Sequence, residues 1–130
     1  MGKKEQIKYW LQIAEEDWEV AQELLKSKRF AHTLFFFHLT IEKLLKANWV
    51  KDNTGDIPPY THSLDHLFSN TNIDLPAKDI DEMRALNAWN LEGRYPDYQQ
   101  KISRMATKEY TEEKFEFAKK LRQCLLDQLL

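Results

Sequence analysis

At 130 residues, with 19 basic and 21 acidic side chains and a formal net charge of −2, the chain has the length of one domain and no room for a second. A hydrophobic fraction of 42% that includes four Trp, five Tyr and seven Phe excludes a disordered chain, and three Gly with four Pro are too few for a turn-rich β-fold. The near-neutral charge gives no overall attraction for phosphate backbones, so nucleic acid is not expected as a partner unless a local basic patch supplies it.

From Glu5 to Lys26 the apolar residues Ile7, Leu11, Ala14, Trp18, Ala21 and Leu25 step by alternating fours and threes, with Trp10 and Leu24 widening the stripe. This spacing predicts an amphipathic helix whose outer face is Lys8, Glu15, Glu16, Glu19, Gln22, Glu23 and Lys26. Ser27 to Arg29 is short enough only for an antiparallel return. The next helix, about Phe30 to Lys51, is apolar on more than one side and so needs cover from two directions, one of them expected to be a second subunit. Asp52 to Pro59, with Gly55 and Pro58-Pro59, breaks helical order.

His62 to Phe68 reads as a short helix, followed by a polar loop from Ser69 to Asp74. Pro76 suits a helix start, and Ile80, Met83, Leu86, Trp89 and Leu91 carry that helix to about Glu92, with Gly93 as its stop. Arg94 to Asp97 is expected to be extended, because the residue before a proline is pushed away from helical dihedrals. Gln99 to Lys108 has a weak pattern compatible with one helical turn. Thr111 is the expected N-cap of the last helix, with Glu112 and Glu113 in its first turn and Phe115, Ala118, Leu121, Leu125 and Leu129 on its inner side. Lone Cys124 rules out an internal disulfide and reads as a buried small hydrophobe. No apolar run approaches the roughly 18 residues of a membrane span. The charged start has no apolar h-region, so a cytoplasmic location is expected.

Four segments together resemble the HEPN family of helical-bundle proteins: AEEDWEVAQELL from Ala14, FFFHLTIEKLLKA with Glu42-Lys43 and Lys46-Ala47, THSLDHL with His62 and Leu64, and GRYPD with Arg94 to Asp97. The resemblance spans almost the whole chain. It implies an all-α, up-and-down bundle of four to five helices, like the substrate-binding subunit of small nucleotidyltransferases. It also implies a homodimer, a nucleotidyltransferase as partner in a toxin–antitoxin-like module, and a link to nucleotide or RNA chemistry. HEPN ribonucleases carry an Arg followed after four to six residues by a His. After Arg94 this chain reads YPDYQQKISRM, and His32, His38, His62 and His66 all lie upstream. The ribonuclease thereby loses its general acid–base group, and Tyr98 would substitute only with a far higher intrinsic pKa.

The expected function is accordingly that of a non-catalytic homodimer binding a nucleotide or a nucleotidyltransferase, with no cofactor or metal. The alternatives are a ribonuclease with a degenerate motif and a ligand-free interaction module. Arg94, Tyr95 and Asp97 offer a guanidinium, a stacking ring and a carboxylate suited to phosphate, base and ribose; the structural alternative pairs Arg94 with Glu42 or Asp17 while Tyr95 and Pro96 plug the bundle end. Glu42, Lys43 and Lys46 offer cations to a phosphate, or else form a solvated or interface ion pair. Asp17 faces the same choice. His62 and His66 at i,i+4 lack a third metal ligand, and His62 is expected to bond backbone groups or a neighbouring helix. The Phe35 to Phe37 run and Trp10, Trp18, Trp49 and Trp89 read as core or interface rather than a base-stacking platform.

Overall fold

In the computed structural model, which describes residues 2–129, the chain forms six α-helices and one 3-10 turn, with no strand among the described residues. They are α1 (Lys3–Lys26), α2 (Phe30–Asp52), α3 (Leu64–Ser69), α4 (Ala77–Ala85), the 3-10 turn Leu86–Trp89, α5 (Pro96–Ser103) and α6 (Lys108–Asp127). The up-and-down bundle expected from the sequence is present, with one or two more helices than anticipated.

The α1 stripe behaves as its periodicity predicts. Ala14, Trp18 and Ala21 are buried, while Lys8, Glu15, Glu16, Glu19, Gln22, Glu23 and Lys26 are exposed. The helix ends in a Schellman arrangement, in which Arg29 N–H donates to Leu24 O at 2.9 Å and Lys28 N–H to Leu25 O at 3.1 Å. Lys28 takes the left-handed position at φ 63°, without the freedom of a glycine. The reversed chain then lays α2 against α1, and Lys3 Nζ donates to the carbonyls of Val50 (2.7 Å) and Asn53 at the far end of α2. A cation there meets the negative pole of the helix.

The wide apolar arc of α2 is explained within one chain. Packed against it are α1, α3, the 3-10 turn, α5 and α6, so α2 is the central helix and Leu34, Phe37, Ile41, Leu44, Leu45 and Val50 are buried from several sides. The arc's width therefore carries no argument for a second subunit, contrary to the inference drawn from the pattern. Phe37 shares an aromatic cluster with Trp18 and Phe115, the latter two rings stacking 5.7 Å apart at 9°. Deeper in the bundle, Asn48 Nδ2 donates to Leu44 O and to Leu125 O of α6, fixing the two helices in register. Trp89 is fully buried too, whereas Trp10 and Trp49 stay partly exposed.

Several boundaries differ from the pattern. His62 lies outside α3, because the Ser63 hydroxyl accepts from His66 N–H and so makes Ser63 the N-cap. His62 and His66 therefore do not share a helical face. Pro76 caps α4 rather than beginning it, and α4 stops at Ala85, where the chain tightens into the 3-10 turn that drops Leu86 and Trp89 into the core. Pro96 and Asp97 are helical, in the first turn of α5, since proline's fixed φ suits that position; Arg94 and Tyr95 stay outside the helix, Tyr95 with extended dihedrals. The N-cap of α6 is Thr107, four residues ahead of Thr111. Thr107 Oγ1 accepts from Tyr110 N–H, and Thr111 is buried with its hydroxyl bonded to Thr107 O. Cys124 is only half-buried.

Replacing Lys28 with glycine removes the left-handed strain and leaves every bond of the Schellman turn intact. Lys28→Gly is expected to raise unfolding free energy by about 0.5–1 kcal/mol in urea titration. A decrease would show that the Lys28 side chain stabilises the turn more than its backbone strains it.

Candidate functional site

One buried carboxylate organises the chemistry. Glu42 lies mid-way along α2 with 1% of its surface exposed, a position at which an unpaired charge is prohibitive. Three cationic or proton-donating groups converge on it: Lys43 Nζ at 2.9 Å and Lys46 Nζ at 3.5 Å on one oxygen, and His62 Nδ1 at 2.7 Å on the other. Burial is the largest single influence on Glu42 and pushes its carboxyl upward, but Lys43, the His62 bond and Lys46 together hold it below the ordinary carboxylate range. The i,i+4 pair read from the sequence exists, but as a buried hub and not as a solvated pair.

Around the hub the polar groups are uneven. His38, one helical turn before Glu42, is fully buried; its Nε2 donates to His62 O at 2.9 Å and its Nδ1 finds no partner among the described residues. Burial pushes its pKa down to about 4, against the pull of Glu42, so the ring is neutral at physiological pH. Asp17 of α1 is half-buried and its carboxyl is raised by burial, with Lys43 only partly offsetting this and Glu42 and Glu16 adding to it. Lys46 Nζ sits 5.1 Å from the Trp10 ring centroid and 6.0 Å from that of Tyr60. Tyr60 is itself 96% exposed.

His62 carries the hub to the surface. Its side chain is 34% exposed, and its outer nitrogen, Nε2, faces Glu92 Oε2 at 3.4 Å. Glu92 belongs to the turn Leu91–Arg94, closed by Arg94 N–H on Leu91 O, in which Gly93 supplies the positive φ of 73°. Arg94 follows immediately. Neither Glu42 nor Asp17 pairs with it, and among the described residues it makes no ion pair; its guanidinium instead lies over the Tyr98 ring at 4.4 Å. Tyr95 is 83% exposed and Pro96 is exposed, so these residues do not plug the bundle end. Asp97 is exposed in the first turn of α5.

Of the residues singled out in the sequence, Glu42, Lys43, Lys46, His62 and Asp17 thus form one cluster, and Arg94, Tyr95 and Asp97 occupy an adjoining surface tied to it by Glu92. Glu92, Tyr60 and His38 were not anticipated as members. No local spacing announces Glu92 or Tyr60, although Trp10 shares with Ala14 and Asp17 the α1 face that meets the cluster. A groove of about 390 Å³ between α1 and α6, lined by Trp18, Gln22, Phe115 and Lys119 among others, lies away from this cluster and contains none of its charged residues. Among the described residues, no three His, Cys, Asp or Glu gather as a metal site.

The architecture and this site define an all-α bundle protein with a buried glutamate-centred ion cluster opening toward an arginine-bearing turn. The HEPN domain model matches residues 7–128, and the chain belongs to the HEPN family. A crystal structure of TT1696 from Thermus thermophilus shares the fold, with a TM-score of 0.78 at 22% identity over 95% of this chain and 98% of that one. No curated protein matches significantly.

The titrating groups set the acid stability. His38 is neutral in the fold and titrates near 6.5 when unfolded, so between pH 6.5 and about 4 the unfolded chain holds the extra proton. Stability is complete above that window and is lost as pH falls through it, by on the order of 3 kcal/mol. Glu42, held below its ordinary value, adds a further loss only below about pH 4.5, whereas raised Asp17 acts in the opposite sense. Urea midpoints measured from pH 7 to 4 are expected to fall steeply for the wild type and more gently for His38→Gln. Equal slopes would remove His38 as the cause.

Proposed function

We propose that this HEPN chain is a homodimeric, non-catalytic binding protein that holds a nucleotide-like ligand at the surface shared by Arg94, Tyr95 and the Glu42–Lys43 stretch of α2. The observation that carries the proposal is the state of Arg94. An exposed guanidinium stacked on Tyr98, with no carboxylate on it among the described residues, keeps its donors free for a phosphate. Tyr95 beside it offers an uncovered ring face to a base. Lys43, 15% exposed at the edge of the hub, is a second cation for the same ligand. Exposed Ile57 and Tyr60 give apolar surface for a second copy to cover. Partnership with a nucleotidyltransferase in a toxin–antitoxin-like module rests on family resemblance alone.

Calorimetric titration with ATP is expected to show binding in the micromolar to sub-millimolar range, weakened about tenfold or more by Arg94→Ala, with sedimentation giving a dimer mass. No heat at millimolar ATP, or an Arg94→Ala variant that binds like the wild type, would sink the nucleotide reading.

One observation favours a second reading, a metal-independent ribonuclease. Every histidine precedes Arg94 in the sequence, yet the fold brings His62 against Glu92 on the turn that carries Arg94. His62 is oriented through Nδ1 by a buried carboxylate, the arrangement that positions an acid–base imidazole. Tyr98 is a poor base, since its hydroxyl donates to Ala88 O at 2.6 Å. RNA cleavage by the purified protein that disappears in both Arg94→Ala and His62→Gln would select this reading; its absence from the wild type leaves binding.

A further inference from the structure

The ion cluster contains three carboxylates of very different standing. Glu42 is buried and bonded three times, and Asp17 is half-buried beside Lys43. Glu92 is 59% exposed and reaches the cluster through one long contact, 3.4 Å from Oε2 to His62 Nε2. It is therefore the most readily displaced of the three, because an exposed single contact of that length is worth little in water. What it touches, in contrast, is firmly held. His62 is locked by Glu42 on Nδ1 and by the His38 bond to its carbonyl, so Nε2 keeps its direction whether or not Glu92 is present.

From this we infer that the outer nitrogen of His62 is an oxyanion subsite, and that Glu92 fills it in the ligand-free chain as an internal stand-in for a phosphate or carboxylate oxygen. When the ring is protonated both nitrogens are donors, and each faces a carboxylate: Glu42 permanently, Glu92 replaceably. An incoming oxyanion takes the Glu92 position, within a cluster that already holds Lys43 and Lys46. Displaced Glu92 remains on a turn whose hinge residue, Gly93, has the conformational freedom to let it swing away. Because Arg94 is on that same turn, release of Glu92 and engagement of Arg94 are coupled through two residues of backbone. This inference rests on the proposed nucleotide site and adds that the site is masked by one of its own side chains.

The test is titration of wild type, Glu92→Gln and His62→Gln with inorganic pyrophosphate and with ATP, followed by calorimetry and by the ¹⁵N shifts of the His62 ring. Circular dichroism would establish that the variants are folded. Glu92→Gln is expected to bind both probes about three- to fivefold more tightly than wild type, the loss of one exposed contact's worth of competition. The His62 ring resonances move on titration, and His62→Gln loses the gain when combined with Glu92→Gln. Wild type that binds ATP in an Arg94-dependent way while Glu92→Gln gains nothing overturns the masking and leaves the nucleotide site standing. So does binding that leaves the His62 ring unmoved. Failure of both wild type and Glu92→Gln to bind either probe overturns the site and its mask together.

Discussion

Burial of the Glu42 carboxylate is the constraint on which the second half of the molecule depends. A lone carboxylate at 1% exposure costs several kcal/mol, and the helix itself supplies only Lys43 and Lys46 against it. The remaining oxygen is satisfied by His62, a residue from beyond the Pro58-Pro59 break, so the chain must return across α2 at that point. The return is reinforced by the His38 bond to the His62 carbonyl. With His62 fixed, Ser63 follows as the cap of α3, Leu64 N–H donates to Asn87 Oδ1, and Asn87 in turn donates to Asp65. One buried charge thereby orders the loop, α3 and the 3-10 turn.

Local signals in the sequence were sufficient for the parts of the fold that local forces decide. The α1 stripe, the three-residue return and the extent of α2 depend on periodicity and on a turn too short for alternatives. Where a boundary depends on which of two competent residues wins, the pattern misled. Thr107 and Thr111 both suit an N-cap, and Thr107 prevails because Thr111 is needed inside the helix, packed and bonded back by one turn. The breadth of the α2 arc was legible, but its cause was not: a central helix surrounded by its own chain and a helix covered by a neighbour have the same composition.

The site was half-legible for a similar reason. Glu42, Lys43, Lys46, His62 and Asp17 do meet in one cluster, and the i,i+4 relation of Glu42 to Lys46 could be counted. The partnership of Glu42 with His62 joins positions whose approach is set by the path of the loop, and no spacing rule encodes it. This decided the fate of Arg94. Glu42 and Asp17 were its candidate locks on grounds of charge alone; in the fold Glu42 is already saturated by nearer donors and Arg94 turns to the face of Tyr98. An arginine that makes no ion pair among the described residues is left with its hydrogen-bonding capacity unspent.

Well-packed hydrophobic residues in place of Glu42 and its buried partner Lys46 together would hold α2 in the bundle about as well, since buried ion clusters seldom stabilise a fold more than good packing does. The cluster also carries an unsatisfied His38 Nδ1 and a raised Asp17, both unfavourable for the folded state near neutral pH. What leucine at this place cannot do is orient an imidazole. Glu42 takes the inner nitrogen of His62 and fixes the ring, so that the outer nitrogen is presented at the surface in a set direction, against Glu92 on the turn that bears Arg94. Stability alone gives no reason for that arrangement, whereas recognition of an anion requires donors whose positions are fixed before the ligand arrives.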